Sequence, residues 1–349
     1  MSKGWILAFV HVALLLGCAG AIYLACEWFV NAVEWLGVRL KMGTLAIGTI
    51  LAAIGTALPE SVVTLVAVTM GHSKASKDIG VGAAMGGPLV LATIAYGVTG
   101  WMLIRRKRSI AKTLKGTSEN KNRELLDDVD LSRLPTDQKW FLSIFVVKVA
   151  LGLVAFSIKP WFGLLFFAAY GVYFFKEMRA DAETHSSLDL EPLKLQPNRT
   201  TPSGWAILFQ TLVTLAIIFA ASQLFVSQLE WAGPALGLPA AVTALLLSPI
   251  ATELPEVMNA IIWVRQGKTS LALANISGAM MIQATVPSGL GILFTPWHFD
   301  GPLILSGVIT MLGIVYLLWL MRTRRFTSVR LAISMGFYAV FAVGLIFIG

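Results

Sequence analysis

Little of this 349-residue chain is charged. Lys and Arg number 27 and Asp and Glu 19, together 13% of the residues, where a soluble domain carries about 25%. That scarcity excludes a soluble globular domain, and it excludes a disordered chain, which needs charge to stay solvated. Cysteine and histidine are scarcer still, at two and four. Cys18 and Cys26 are eight residues apart, about 12 Å of helical rise, too far for a disulfide. The histidines show no metal-ligand spacing. A phosphate-cradling glycine loop, a His/Cys metal cluster and a nucleophile triad are all missing, so neither an enzyme nor a resident cofactor is expected. The first apolar run is too long for a cleaved signal peptide and lacks its small-residue cleavage pattern, so it is expected to be a retained span.

What is present is hydrophobic sequence, 56% of the chain. It comes in continuous runs. A membrane β-barrel would alternate apolar and polar residues instead. A bilayer core of about 30 Å needs roughly 20 apolar helical residues. Ten such runs lie near 5–35, 44–70, 79–104, 140–158, 161–176, 204–231, 239–264, 270–294, 302–321 and 329–348. The expected fold is an all-α polytopic membrane protein of ten transmembrane helices. Two polar stretches, 105–139 and 177–203, are expected to be solvated, partly ordered linkers. With both termini outside, 22 of the 27 Lys and Arg fall in inside loops, as the positive-inside rule requires. The +8 balance therefore reports topology and lipid contact and gives no sign of nucleic acid. Lys148, a lone cation within a run, is expected to snorkel toward the interface. Glu27, Glu34 and Glu230 are expected near the interfaces at span ends.

The chain resembles itself at an offset of 196 residues. Residues 27–37, EWFVNAVEWLG, align with 223–233, QLFVSQLEWAG, and the same offset aligns GTALPE (55–60) with ATELPE (251–256). Five spans separate the copies, so the halves are expected to cross in opposite senses, an inverted repeat common in secondary transporters. The organisation that follows is a first five-helix repeat over 1–176, an inside linker over 177–203 and a second five-helix repeat over 204–349.

Each motif puts chemistry at mid-span. Thr56 and Glu60, like Thr252 and Glu256, are four residues apart and share a helical face. Pro59 and Pro255 each remove a backbone hydrogen bond, and a freed carbonyl at membrane depth must find protein, water or an ion. Carboxylate, hydroxyl and carbonyl oxygens are hard ligands suited to Ca²⁺, Mg²⁺, Mn²⁺ or Na⁺. A mid-membrane carboxylate is costly and marks a functional site by default. Glu253 adds a third, three residues from Glu256. Like charges so close favour keeping a proton on one of them.

These paired motifs resemble the two α-repeats of the sodium/calcium exchanger family, part of the Ca²⁺:cation antiporter superfamily, where both copies read G-T-S-L-P-E. The resemblance implies ten helices in two inverted halves, antiport by alternating access, and Glu60, Glu256, Thr56 and Thr252 as ligands of the transported cation. In the helix after each motif the family reads G-N-x-x-G-S-N with a further Asn or Asp three residues on. The matching residues are Gly82 to Pro88 and Leu91 in the first copy. In the second they are Ala274 to Met280 and Gln283. By position the resemblance adds Asn275; Gln283, at the Asn or Asp position, and Ser277 are further candidate ligands, while Gly87, Ala279, Leu91 and Ala57 stand where the family would have oxygens. The expectation is a multi-pass protein of the plasma (inner) membrane, exchanging Ca²⁺ or another divalent cation for Na⁺ or H⁺. The lost oxygens keep open a proton-coupled Mg²⁺ or Mn²⁺ exporter, and a non-transporting sensor or assembly subunit.

Overall fold

The computed structural model describes residues 3–69, 74–113, 126, 132–181, 190–235, 246 and 248–348; some side chains inside its helices, Glu60 and Glu230 among them, lie outside the described set. All regular structure among the described residues is helical. Apolar sequence at this density must satisfy its backbone within each segment, and the helix does so.

The first half contains α1 (Lys3–Arg39) and the short α2 (Thr44–Ala46), then a π-helical segment (Ile47–Ala52) that runs into α3 (Ala53–Thr69). Next come α4 (Lys74–Val90), a second π-helical segment (Leu91–Ala95) and α5 (Tyr96–Thr113). The half closes with α6 (Leu134–Leu153) and α7 (Phe162–Asp181). The second half contains α8 (Gly204–Ala235), α9 (Ser248–Thr252), α10 (Leu254–Gln266), α11 (Thr269–Phe294), α12 (Gly301–Arg322), α13 (Ser328–Ile333) and α14 (Met335–Ile348).

Local chemistry sets the helix ends. α10 stops at Gly267, whose φ of 88° is left-handed and turns its N–H back to the Trp263 and Val264 carbonyls, a conformation that favours glycine. α12 starts where the Asp300 side chain accepts the Leu303 N–H at 3.1 Å, with Pro302 in its first turn.

Helix α11 is the centre of the molecule. It packs against α3, the first π-helical segment, α4, α6, α7 and α10, and most of its length is buried. Small residues permit this. A Cβ on Gly278 would strike the Thr49 backbone, and one on Gly48 would strike Ala274. Close backbone approach of this kind characterises helix packing in membranes. Around that centre α1 lies along α8, and large apolar side chains such as Trp205 (82% exposed) and Phe347 (83% exposed) point outward.

Every one of the ten apolar runs carries helix among its described residues. Among the described residues, six helical stretches are long and apolar enough, by length and composition, to cross a membrane: Phe9–Arg39, Gly80–Ile110, Gly204–Phe225, Thr269–Phe294, Gly301–Arg322 and Ser328–Ile348. Both polar stretches are more structured at their edges than expected. The Arg105–Arg108 block continues α5, and α6 begins at Leu134. From residue 190 the linker docks on α1 and α8, with Leu193 fully buried beside Ala32, Ala206 and Ile207. Asn31 of α1 donates to the Pro192 carbonyl at 3.2 Å and accepts the Lys194 N–H at 3.0 Å.

One further expectation is corrected. Lys148 does not snorkel: it is fully buried, its Nζ donating to the Ala84 carbonyl at 2.7 Å over the Phe145 ring. α6 is packed in the interior at this point, so no route to the interface exists. Glu34, near the end of α1, is turned toward protein. It is 2% exposed, paired with Lys268 at 2.5 Å, and accepts the Trp263 indole N–H at 2.9 Å. A cation from the α10–α11 turn makes burial of that carboxylate tolerable.

Candidate cation site

The second motif lies at a one-residue interruption. Pro249 and Pro255 bracket it, and Glu253 has φ −85° and ψ 3° between α9 and α10. The hydrogen bonds on either side survive, from the Glu253 N–H to the Pro249 carbonyl and from the Val257 N–H to the Glu253 carbonyl, both 3.1 Å. The first motif differs. α3 runs through Pro59 unbroken, and the irregularity comes earlier, in the π-helical turns before Ala53. Such insertions often mark functional sites.

On α10, Glu253, Glu256 and Asn259 follow one another at three-residue spacing and are all fully buried. Gln283 of α11 donates its amide to Glu253 Oε1 at 2.6 Å. That contact meets α4. A Cβ on Gly87 would collide with Gln283 Oε1 and lie 2.6 Å from Glu253 Oε1, and one on the preceding Gly86 would strike Pro249. Three of the positions that depart from the exchanger pattern, Gly87, Glu253 and Gln283, therefore meet. Cys26 of α1 reaches the Pro255 carbonyl from the other side, its Sγ at 3.8 Å.

Thr56 and Thr252 donate their hydroxyls to their own helices, to the Ala52 and Pro249 carbonyls, each at 3.2 Å. This leaves lone pairs on the oxygen for a ligand. Glu60 is placed one turn after Thr56 on α3, while its side chain lies outside the described residues. Asn275 is fully buried, and neither atom of its amide has a hydrogen-bond partner among the described residues. Asn259 has the same character. It was not singled out in the sequence, although its spacing from Glu256 was the available signal.

Ser277 is drawn elsewhere. Its hydroxyl donates to Asp137 Oδ2 at 3.3 Å and accepts the Gln138 amide at 3.0 Å, both from α6. The described residues thus join Glu253 to Gln283 and place Glu256 and Asn259 on the same face of α10, while Ser277 belongs to a second polar cluster.

Comparison with known proteins agrees with this architecture. A family model described as "Sodium/calcium exchanger protein" matches residues 10–176 and 206–347. The chain is 26% identical over 315 residues to the inner membrane protein YrbG of Escherichia coli K12, covering 87% of this chain and 86% of that one. It is 24% identical over 280 residues to CaxA of Alkalimonas amylolytica, named a putative antiporter, covering 79% and 78%. Among solved structures, the sodium-calcium exchanger NCX_Mj soaked with 10 mM Na⁺ and zero Ca²⁺ matches with a TM-score of 0.73 at 17% identity, covering 97% of this chain and 99% of that one. NCX_Mj soaked with 2.5 mM Na⁺ and 0.1 mM Ca²⁺ matches with a TM-score of 0.72 at 16% identity. At these identities the structural likeness speaks for the fold.

Proposed function

Since the chain belongs to the sodium/calcium exchanger protein family, we propose that it is a cation antiporter of the inner membrane, exchanging Ca²⁺ or another divalent ion by alternating access. In this reading ten spans form two inverted five-helix halves with both termini outside, and the transported ion is held between the two motifs. Glu60 and Glu256 supply the charge. Thr56, Thr252, Asn275 and Gln283 supply neutral oxygens, all hard donors of the kind such ions take.

The observation that carries the reading is the burial of Glu253 and Glu256 together on α10, beside Gln283 and Asn259. Two carboxylates on one buried face are costly unless a cation or proton is shared between them. We assign Glu256 to the transported cation and Glu253 to a proton that leaves when the cation arrives. Gln283 holds the Glu253 carboxyl in place through its 2.6 Å contact.

The test is uptake of radioactive Ca²⁺ into proteoliposomes under an imposed pH or Na⁺ gradient. A pH gradient is expected to drive it and Glu256→Gln to abolish it. Flux that follows Na⁺ and ignores pH would overturn the role given to Glu253. Absence of flux for any of Ca²⁺, Mg²⁺ and Mn²⁺ would favour the sensor or assembly subunit.

A further inference from the structure

Asn259 of α10 and Asn275 of α11 raise one question in two helices. Both are fully buried, and neither Oδ1 nor Nδ2 of either amide has a hydrogen-bond partner among the described residues. Burying such atoms is costly, and native interiors seldom leave them without water or an ion.

The α10–α11 hairpin brings the two amides to one place. It turns at Gly267, and the contact of Glu253 with Gln283 fixes its register. Asn259 and Asn275 each lie eight residues from Gly267, about 12 Å of rise, so they stand near one level. Glu256 is three residues before Asn259, about 5 Å further from the turn. Helical rotation, about 100° per residue, gives the directions. On α11, Asn275 lies between Gly278, which meets the Thr49 backbone, and Gln283, which meets Glu253. On α10, Glu256 lies between Glu253 and Asn259. The two helices run in opposite directions, so these rotations carry Glu256, Asn259 and Asn275 to the same side of the hairpin.

Unpartnered amides suit water better than a bare ion. A cation takes Oδ1 alone and leaves the two N–H donors of Nδ2 unmet, whereas water accepts from Nδ2 and donates to Oδ1. Water held one turn from Glu256 is placed to stay on an ion bound there. Gly87, Ala279 and Leu91, where the exchanger pattern has oxygens, leave coordination positions that water can fill. Mg²⁺ dehydrates reluctantly and usually keeps several waters, while Ca²⁺ accepts six to eight oxygens in flexible geometry.

We propose that Asn259 and Asn275 form a hydration subsite, holding water that remains on the transported divalent cation and so admitting a partly hydrated ion of the Mg²⁺ type. This rests on the cation-antiporter reading and refines it, since Asn275 then reaches the ion through water.

Displacement of radioactive Ca²⁺ from the purified full-length protein by Mg²⁺ gives both affinities without transport. Asn259→Leu combined with Asn275→Leu is expected to weaken Mg²⁺ about tenfold more than Ca²⁺, the effect of one or two lost hydrogen bonds. Each leucine variant alone should shift the ratio severalfold, so the subsite remains testable if the pair does not fold. Asn259→Ser with Asn275→Ser leaves room and hydroxyls for extra water and should hold the ratio within about threefold of the unaltered protein. Equal weakening of both ions by the leucine variants, or failure of Mg²⁺ to displace Ca²⁺ from the unaltered protein, would overturn the proposal and leave the antiporter reading standing. That reading fails separately, and takes the subsite with it, if Ca²⁺ binding is absent or survives Glu256→Gln.

Discussion

The two motif copies share T-x-L-P-E yet make unequal contributions. The first is followed by α4, which presents Gly82, Ala83, Gly86 and Gly87. The second is followed by α11, which presents Asn275, Ser277 and Gln283. The helix after the first motif carries small residues where the helix after the second carries amides and a hydroxyl, and the two are linked. Gly87 has no Cβ at the spot where Glu253 and Gln283 meet, and Gly86 clears Pro249 in the same way. Gly87 after the first motif and Glu253 in the second thus meet at a single contact.

Substitutions can break or sharpen this comparison. The largest effect is expected from the residue both copies keep. Glu256→Gln and Glu60→Gln should each lower Ca²⁺ uptake by about 30- to 4000-fold, since removing one partner of a buried charged contact costs about 2–5 kcal/mol. A large loss in only one variant would make the copies unequal in mechanism as well as in packing. Gly87→Ser restores the family residue but overpacks the Glu253–Gln283 contact. It should cost about 1–3 kcal/mol, read as a lower midpoint of thermal unfolding, and lower flux about tenfold. Adding Glu253→Ser should recover part of both, the signature of coupled positions. An additive double variant would sever the link drawn between the copies.

Smaller effects test the division of labour on α10. With Glu253→Gln, uptake driven by a pH gradient should be lost, while exchange of Ca²⁺ for Ca²⁺ should persist. In the unaltered protein Ca²⁺ competes with a proton at Glu253, so apparent Ca²⁺ affinity should fall as pH falls, and the variant should flatten that profile. The smallest change is expected from Asn259→Leu. Replacing a buried amide by an apolar side chain of similar size is nearly neutral for stability. A loss of Ca²⁺ affinity of about threefold to tenfold without a change in unfolding temperature would mark Asn259 as a ligand. No change in either would leave the oxygens to Glu256 and α11.

Some of this was legible in order of residues alone. The helical class followed from continuous apolar runs, and the family from duplicated T-x-L-P-E, because both are patterns of composition and spacing. Gly87 and Glu253 were visible separately as departures, but their contact was not, since they are 166 residues apart in the chain. The burial of Lys148 and the pairing of Glu34 were hidden for a related reason. Position along a span indicates depth, whereas burial depends on which neighbours arrive from other helices. The Ala84 carbonyl meets Lys148 from α4, and Lys268 meets Glu34 from the α10–α11 turn.

The sequence by itself determined a helical membrane protein with carboxylates at mid-span. Hydropathy and helical period act locally, over the twenty or so residues that cross a bilayer. Only the tertiary structure decided which carboxylate is gripped by Gln283 and that Ser277 serves Asp137. Those facts depend on distances between helices far apart in the chain, which are set by where glycine lets two backbones meet.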